Sequence, residues 1–330
     1  MRILITGGAG YIGSHAAVEF LNAGYDIVIV DNYDNSKPEV IDRIKEITKK
    51  DFKNYNGDVC DKELLSKIFS DNKIDAVVHF AGFKAVGESV SNPLKYYRNN
   101  LDSTLSLLEV MNEFNCKKIV FSSSATVYGN PERLPIDEKC SLHTTNPYGS
   151  TKLYIEGILN DLYASDQDWS IAVLRYFNPV GAHESGLIGE EPNGIPNNLV
   201  PYICKVACGD LPFLNVFGDD YNTPDGTGVR DYIHVVDLAK AHVKSVELIL
   251  NEKGIDFYNL GTGTGYSVLE LVNTFMKVNN VNIPYKIVER RPGDIDACYA
   301  NPKHANEKLN WHAEKDLDEM LKSAYEFWKK

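Results

Sequence analysis

The chain has 330 residues, 43% of them hydrophobic and 24% charged, enough for one large or two modest domains with ample core. A formal net charge of −12 excludes nucleic acid or an anionic membrane as a bulk electrostatic partner, so any anionic ligand must be met by a few placed arginines. No apolar run approaches a bilayer span, the 6 cysteines lack metal or disulfide-framework spacing and the 8 histidines are scattered, which points to a reduced, cytoplasmic protein with no metal site.

Arg2-Ile3-Leu4-Ile5-Thr6 reads as a short buried strand that starts the fold at once, with no signal peptide before it. The turn Gly7-Gly8-Ala9-Gly10-Tyr11-Ile12-Gly13 and an apolar helix ending at Gly24 follow, then a second strand, Asp26–Val30, closed by Asp31. Both G-x-G-x-x-G and G-x-x-G-x-x-G fit these glycines, which let the backbone approach a pyrophosphate at the positive end of a helix. Strand before, helix after and an acid closing the second strand make this a dinucleotide site. Asp31 accepts from ribose hydroxyls and repels a 2′-phosphate, which favours NAD over NADP.

Alternation continues with a helix around Val40–Ile47, a strand near Phe52–Tyr55, the turn Gly57-Asp58-Val59, a helix over Leu64–Phe69 and a strand ending in Phe80-Ala81-Gly82. Asp58 and Val59 are placed to meet an adenine, and Phe80, Ala81, Gly82 and Lys84 to line the cofactor path. Two long helices are expected near 93–114 and 148–165. The pattern predicts an α/β fold, a doubly wound, Rossmann-type parallel sheet over residues 1–176. Its ligand should lie at the carboxyl ends of the strands, where Gly7, Asp31, Gly82 and Ser124 fall.

The apolar run Lys118-Ile119-Val120-Phe121 ends in Ser122-Ser123-Ser124, and Asn146-Pro147-Tyr148-Gly149-Ser150-Thr151-Lys152 opens a helix. Residues four apart share a helical face, so Tyr148 and Lys152 point the same way. An ammonium beside a phenol favours the phenolate, and Ser124 can hydrogen-bond the same reacting oxygen. Tyr-x-x-x-Lys occurs four times among 19 tyrosines, at Tyr33, Tyr148, Tyr299 and Tyr325. Only Tyr148 combines a helix start with a serine-ended strand upstream; the others are surface pairs.

Beyond Leu174-Arg175-Tyr176-Phe177-Asn178-Pro179-Val180-Gly181, prolines and glycines thicken and regular alternation lapses until about residue 232. Residues 177–330 are therefore expected to form mainly a smaller C-terminal, substrate-binding lobe. Segments near 232–262, Ile233-His234-Val235 with its helix and Phe257–Leu260, should return to the main sheet. Gly261-x-Gly263-x-Gly265 reads as a strand-to-helix turn, since no acid-ended strand follows it.

Taken together, the motifs resemble those of the extended short-chain dehydrogenase/reductases, and over essentially the whole chain those of the nucleotide-sugar 4-epimerases among them. The match runs through the Gly7–Gly13 loop, His79–Ser89, Ser122–Gly129, Tyr148–Lys152, Arg175–Gly181, Pro196–Leu199, Asp225–His234 and Arg290-Arg291-Pro292-Gly293-Asp294. The resemblance implies one NAD used without net consumption, with Tyr148 taking the 4-hydroxyl proton of a UDP-hexose while C4 gives hydride to the nicotinamide. The 4-keto sugar turns over and is reduced on its other face, interconverting UDP-galactose and UDP-glucose. A free tyrosine near pKa 10 must drop by roughly 3 units to act near neutrality, and Lys152 with the cationic nicotinamide suffices for that.

By the same resemblance the cofactor set is Gly7, Gly10, Tyr11, Ile12, Gly13, Asp31, Asn32, Asp58, Val59, Phe80, Ala81, Gly82, Lys84, Asn99, Ser122, Tyr148, Lys152 and Tyr176. The substrate set is Ser124, Tyr148, Asn178, Asn198, Leu199, the uracil-side strand Asn215-Val216-Phe217, the diphosphate arginines Arg230 and Arg291, Asp294 and Cys298. Some relatives carry a bulky tyrosine where Cys298 stands, so a small side chain there implies room for an N-acetyl group and turnover of UDP-GlcNAc and UDP-GalNAc. The helices near 93–114 and 148–165 imply a homodimer. A 4,6-dehydratase would need an Asp-Glu pair where Ala125 and Thr126 stand. A UDP-uronic acid 4-epimerase would need an extra cation, and a non-catalytic dinucleotide sensor would not need Tyr148, Lys152 and Ser124 together.

Overall fold

Ile3, Leu4 and Ile5 are fully buried, with Ile3 and Ile5 packed on one side of a sheet and Leu4 on the other, as expected for a central strand covered on both faces. The structure is a computed structural model that describes residues 1–291 and 294–329; Pro292 and Gly293 of the arginine motif lie outside the described residues. The first half alternates regularly: β1 (Arg2–Thr6), α1 (Tyr11–Asn22), β2 (Asp26–Asp31), α2 (Glu39–Thr48), β3 (Lys53–Asn56), α3 (Lys62–Asp71) and β4 (Ala76–His79). It continues with α4 (Val86–Ser91), α5 (Pro93–Glu113), β5 (Lys118–Ser124), a 3-10 turn over Ala125–Tyr128, α6 (Pro147–Ser165) and β6 (Ser170–Tyr176).

The second half is less regular. It contains β7 (Asn178–Val180), α7 (Leu199–Ala207), β8 (Leu214–Phe217), β9 (Val229–His234), α8 (Val235–Asn251) and β10 (Gly254–Leu260). After these come β11 (Gly265–Ser267), α9 (Val268–Asn279), β12 (Tyr285–Val288), β13 (Ala297–Cys298), α10 (Lys303–Leu309) and α11 (Leu317–Trp328).

The main sheet is parallel, with strand order β10-β6-β5-β4-β1-β2-β3. Winding reverses between β1 and β4, and a ligand crevice opens at such a switch point. There the turns after β1 and β4 meet so closely that a Cβ on Gly7 (φ +69) would stand 2.9 Å from Ala81 N. On the helix side a Cβ on Gly13 would lie 2.2 Å from the Gly7 carbonyl oxygen, so both positions require glycine.

The segment 232–262 divides between the two lobes. Phe257–Leu260 lies in β10 at the edge of the main sheet and α8 packs on β4, β5 and β6. Ile233 and His234, however, lie in β9, which belongs to a separate four-stranded sheet with β7, β11 and β13. The expectation that this strand joins the main sheet is corrected; Tyr232 packs into the core of the second lobe, while Ile233 is buried in the main core with Ala17 and Leu238. The turn after Leu260 leads to the short strand β11 before α9, and is held by Asp231, whose carboxylate accepts from Thr262 N at 2.8 Å and Gly263 N at 3.0 Å. Among the described residues β8 pairs only with β12.

Candidate active site

Three successive serines at the end of β5 organise the catalytic candidates. The Ser122 carbonyl accepts from Lys152 Nζ at 2.7 Å, and the Ser123 hydroxyl donates to Glu156 Oε1 at 2.5 Å. Ser124 is hydrogen-bonded to the Tyr148 hydroxyl, and its oxygen also accepts from Thr126 N at 3.2 Å and Thr126 Oγ1 at 3.0 Å. The helix that answers them starts at a fixed place. Asn146 caps α6 by accepting from Gly149 N at 2.9 Å, Pro147 takes the first turn, and Gly149 packs on the Thr126 carbonyl. Tyr148, Lys152 and Glu156 then follow at four-residue spacing on one face.

Lys152 is buried, its Nζ 4.9 Å from the centre of the Phe121 ring and 6.0 Å from that of Tyr148. Burial draws its ammonium down to about 8, and the Glu156 carboxylate opposes that fall. Glu156 is itself taken in a two-pronged contact by Arg175, with Nε to Oε1 at 3.0 Å and Nη2 to Oε2 at 2.7 Å, both residues buried. Sequence reasoning passed over Ser123, Glu156 and the Arg175 side chain, although the repeat Tyr148, Lys152, Glu156 marks a single helical face.

The depression expected of the Tyr148 phenol is that of the protein with its cationic nicotinamide; in the chain by itself the phenol does the opposite. Burial pushes it up, and only the hydrogen bond with Ser124 pulls it the other way. Lys152 points its ammonium at the Ser122 carbonyl.

All eighteen residues of the cofactor set line one cavity, together with Ser124 and Asn198. Asp31 is buried at one end, where Oδ2 accepts from Ala9 N at 2.9 Å and Oδ1 from Tyr33 N and the Ser36 hydroxyl, each at 2.9 Å. Asn32 Nδ2 reaches Asp58 Oδ2 at 3.3 Å, while Asp58 Oδ1 accepts from Cys60 N at 2.8 Å, so Asp58 both forms the turn and faces the cavity. Tyr11 donates to the Gly181 carbonyl at 2.7 Å, and Tyr176 pairs with His242 Nε2 at 2.7 Å. The glycine turns that admit no Cβ, the start of α1 and the acid closing β2 together fit a dinucleotide. Sequence reasoning did not anticipate Lys37, Arg43, Glu190 and Glu191, which also line the cavity. No local motif marks them, since the first and second pairs come from distant parts of the chain.

The remaining substrate candidates lie in the second lobe. Asn198, at the start of α7, donates to Glu190 Oε1 at 2.6 Å, and Leu199 begins that helix. Asn178 is exposed on β7, two residues past Tyr176. On β8, Asn215 and Phe217 are half-buried, whereas the Val216 side chain is buried in the lobe's own core, so only its backbone can face a ligand. The Arg291 guanidinium stacks 4.0 Å from the centre of the Phe217 ring, and Arg230 pairs with Asp294. Cys298, on β13 beside Arg230 in β9, packs against a small cluster that includes Ala125 and Phe177. Among the described residues no group of three or more His, Cys, Asp or Glu could hold a metal ion, and no helix is long and apolar enough to cross a membrane.

Comparison with known proteins places this geometry. The family model described as GDP-mannose 4,6 dehydratase matches residues 4–324. A UDP-glucose 4-epimerase of Bacillus subtilis is 60% identical over 98% of this chain and 96% of its own. A crystal structure of UDP-glucose 4-epimerase from Bifidobacterium longum in complex with NAD+ and UDP has a TM-score of 0.97 at 56% identity, covering 99% of this chain and 98% of that one. A UDP-glucose 4-epimerase from Stenotrophomonas maltophila, with bound NAD and formylated UDP-arabinopyranose, has a TM-score of 0.98 at 48% identity, covering 100% and 98%.

Proposed function

The chain belongs to the UDP-glucose 4-epimerase family within the extended short-chain dehydrogenase/reductases, and from that premise we propose how its own residues interconvert UDP-galactose and UDP-glucose at C4 with NAD as cofactor. The observation that carries the reading is the convergence of Tyr148, Ser124 and Lys152 on the same cavity as the glycine turns and Asp31. When bound, NAD supplies reversible oxidation at the sugar carbon.

The protein supplies the proton path and the grip. Tyr148, as phenolate, takes the proton of the sugar 4-hydroxyl and later returns it, while Ser124 donates to the same oxygen. The buried phenol is too weak an acid in the bare chain, so it becomes a base only when positive charge beside it is complete. Lys152 provides the part of that charge which the fold itself holds. Gly7, Gly10 and Gly13 admit the pyrophosphate, Asp31 the adenosine ribose, and Asp58 and Val59 the adenine. Asn178, Asn198 and Leu199 hold the sugar nucleotide, Asn215–Phe217 border the uracil, and Arg230, Arg291 and Asp294 meet the diphosphate. Ala125 and Thr126 stand where a dehydratase would carry its acid pair, which supports epimerisation over elimination of water.

The small Cys298 leaves space for a 2-acetamido group, so UDP-GalNAc and UDP-GlcNAc are substrates as well. Residues 1–176 hold the dinucleotide and 177–330 mainly the UDP-sugar. The enzyme is a cytoplasmic homodimer joined through α5 and α6, a reading supported by the exposed Leu94, Leu105 and Tyr154. The purified protein, incubated with UDP-galactose or UDP-GalNAc with and without added NAD, should yield UDP-glucose and UDP-GlcNAc by chromatography of the products. Silence under every condition rejects the epimerase reading. Cys298→Tyr should abolish the acetylated reaction and spare UDP-galactose; equal loss of both rejects the gate.

A further inference from the structure

Among the described residues every cation lining the dinucleotide cavity is engaged. Lys37 Nζ lies 2.5 Å from Glu191 Oε1, and Arg43 Nη1 lies 3.7 Å from Glu191 Oε2 and donates to the Leu187 carbonyl at 3.3 Å. Lys84 Nζ lies 3.4 Å from Glu190 Oε1, and Lys152 donates to the Ser122 carbonyl. Two adjacent acids between β7 and α7 thus occupy three of the four cations. Glu191 holds the pair on the adenosine side, where the Ser36 hydroxyl, one residue before Lys37, donates to Asp31 at 2.9 Å.

A ribose 2′-phosphate carries close to two negative charges and is held in NADP sites by a nearby arginine or its equivalent. Among the described residues Lys37 and Arg43 are the two cations of this cavity on the side of Asp31, and both side chains are partly exposed. Glu191 and Lys37 are each more than a third exposed in their side chains, so their ion pair adds little to the stability of the fold. What the pair does to a ligand is larger, because an incoming phosphate must both displace Glu191 and tolerate its charge.

We propose that Glu191 is a specificity-determining residue for the dinucleotide, withholding Lys37 and Arg43 from a ribose 2′-phosphate and so adding to the rejection of NADP by Asp31. The inference rests on the reading that this cavity holds NAD. It gives the segment before α7 a role in cofactor choice, although that segment belongs to the second lobe in sequence.

The test equilibrates the purified protein, Glu191→Gln, and the triple variant Lys37→Met/Arg43→Met/Glu191→Gln with equal concentrations of NAD and NADP. Free nucleotide is removed, and bound nucleotide is released by denaturation and quantified by chromatography. In Glu191→Gln the bound NADP to NAD ratio should rise about three- to tenfold, a gain that shrinks at high salt and is lost in the triple variant. An unchanged ratio with NAD still retained overturns the role of Glu191 alone, as does a gain that survives in the triple variant. Failure of all three proteins to retain either nucleotide overturns the NAD reading and this inference with it.

Discussion

The catalytic lysine and the arginines of the second lobe are kept in opposite ways. Lys152 is buried against a backbone carbonyl and two aromatic rings, and its ammonium is drawn down to about 8. Arg230 in the second lobe holds a carboxylate partner, Asp294, and Arg291 lies over Phe217 in the exposed part of the same lobe. A group that moves or steers a proton must sit close to its own titration range, which low dielectric provides. A group that grips a diphosphate must stay charged at every working pH, and a guanidinium does so with a partner that a stronger anion can replace. On the proposed assignment the cavity half serves the chemistry and the lobe half the holding.

Removing chemistry from the cavity half should have the largest effect. Tyr148→Phe keeps the ring and the Ser124 environment but loses the proton acceptor, so turnover of UDP-galactose should fall about 10³–10⁴-fold while bound dinucleotide is retained. Normal turnover would mean that the proton path lies elsewhere. Gly13→Ala comes next. Its Cβ would press on the Gly7 carbonyl at 2.2 Å, and the resulting displacement should cost about 2–3 kcal/mol and weaken NAD binding. A melting curve unchanged with and without NAD would show that the turn yields more easily than its packing implies. In the lobe half, Arg230→Ala and Arg291→Ala should each raise KM for UDP-galactose about 10–100-fold and leave kcat close to the parent value. Arg230→Ala also strands Asp294 beside the diphosphate, so adding Asp294→Asn should recover part of the loss.

These halves differed equally in how much the sequence disclosed. The cofactor half is specified by backbone: glycines at fixed spacing, an acid closing β2, and strand ends that a parallel sheet brings together at its switch point. Period and punctuation reveal such features, and the cofactor set that the family resemblance implies falls in one cavity. The lobe half depends on pairings between distant segments, such as Glu191 with Lys37 of the cofactor half and Arg230 with Asp294. Nothing local in the chain announces them. β9 went astray for a related reason: Ile233-His234 has the composition of a main-sheet strand, and only its pairing with β7, β11 and β13 decides its sheet. Val216 illustrates the limit of a motif, since matching a ligand-side strand does not say which side chains of that strand turn into the core.

The contrast between the two kinds of cation is sharpest in how stability depends on pH. The folded state lowers the Lys152 ammonium from 10.5 to about 8, so the native protein gives up that proton before the unfolded chain does. Below about pH 8 both states are protonated and the fold carries the full cost of a buried charge. Between about 8 and 10.5 the unfolded chain binds the extra proton, so the stability of the parent protein rises with pH through that window. Lys152→Met removes the charge at similar volume but loses the hydrogen bond to Ser122. At pH 7 it should therefore be more stable than the parent by about 1–2 kcal/mol, a smaller figure than the burial cost alone of roughly 3 kcal/mol. That advantage should narrow steadily as pH is raised from 8 to 10, measured as the difference in urea midpoints at constant slope. Arg291→Ala in the same experiment should show no such narrowing, because a guanidinium does not titrate there. A constant gap for Lys152→Met would mean that its ammonium is better solvated or better paired than its burial indicates, and the distinction between a poised cation and a gripping one would fail.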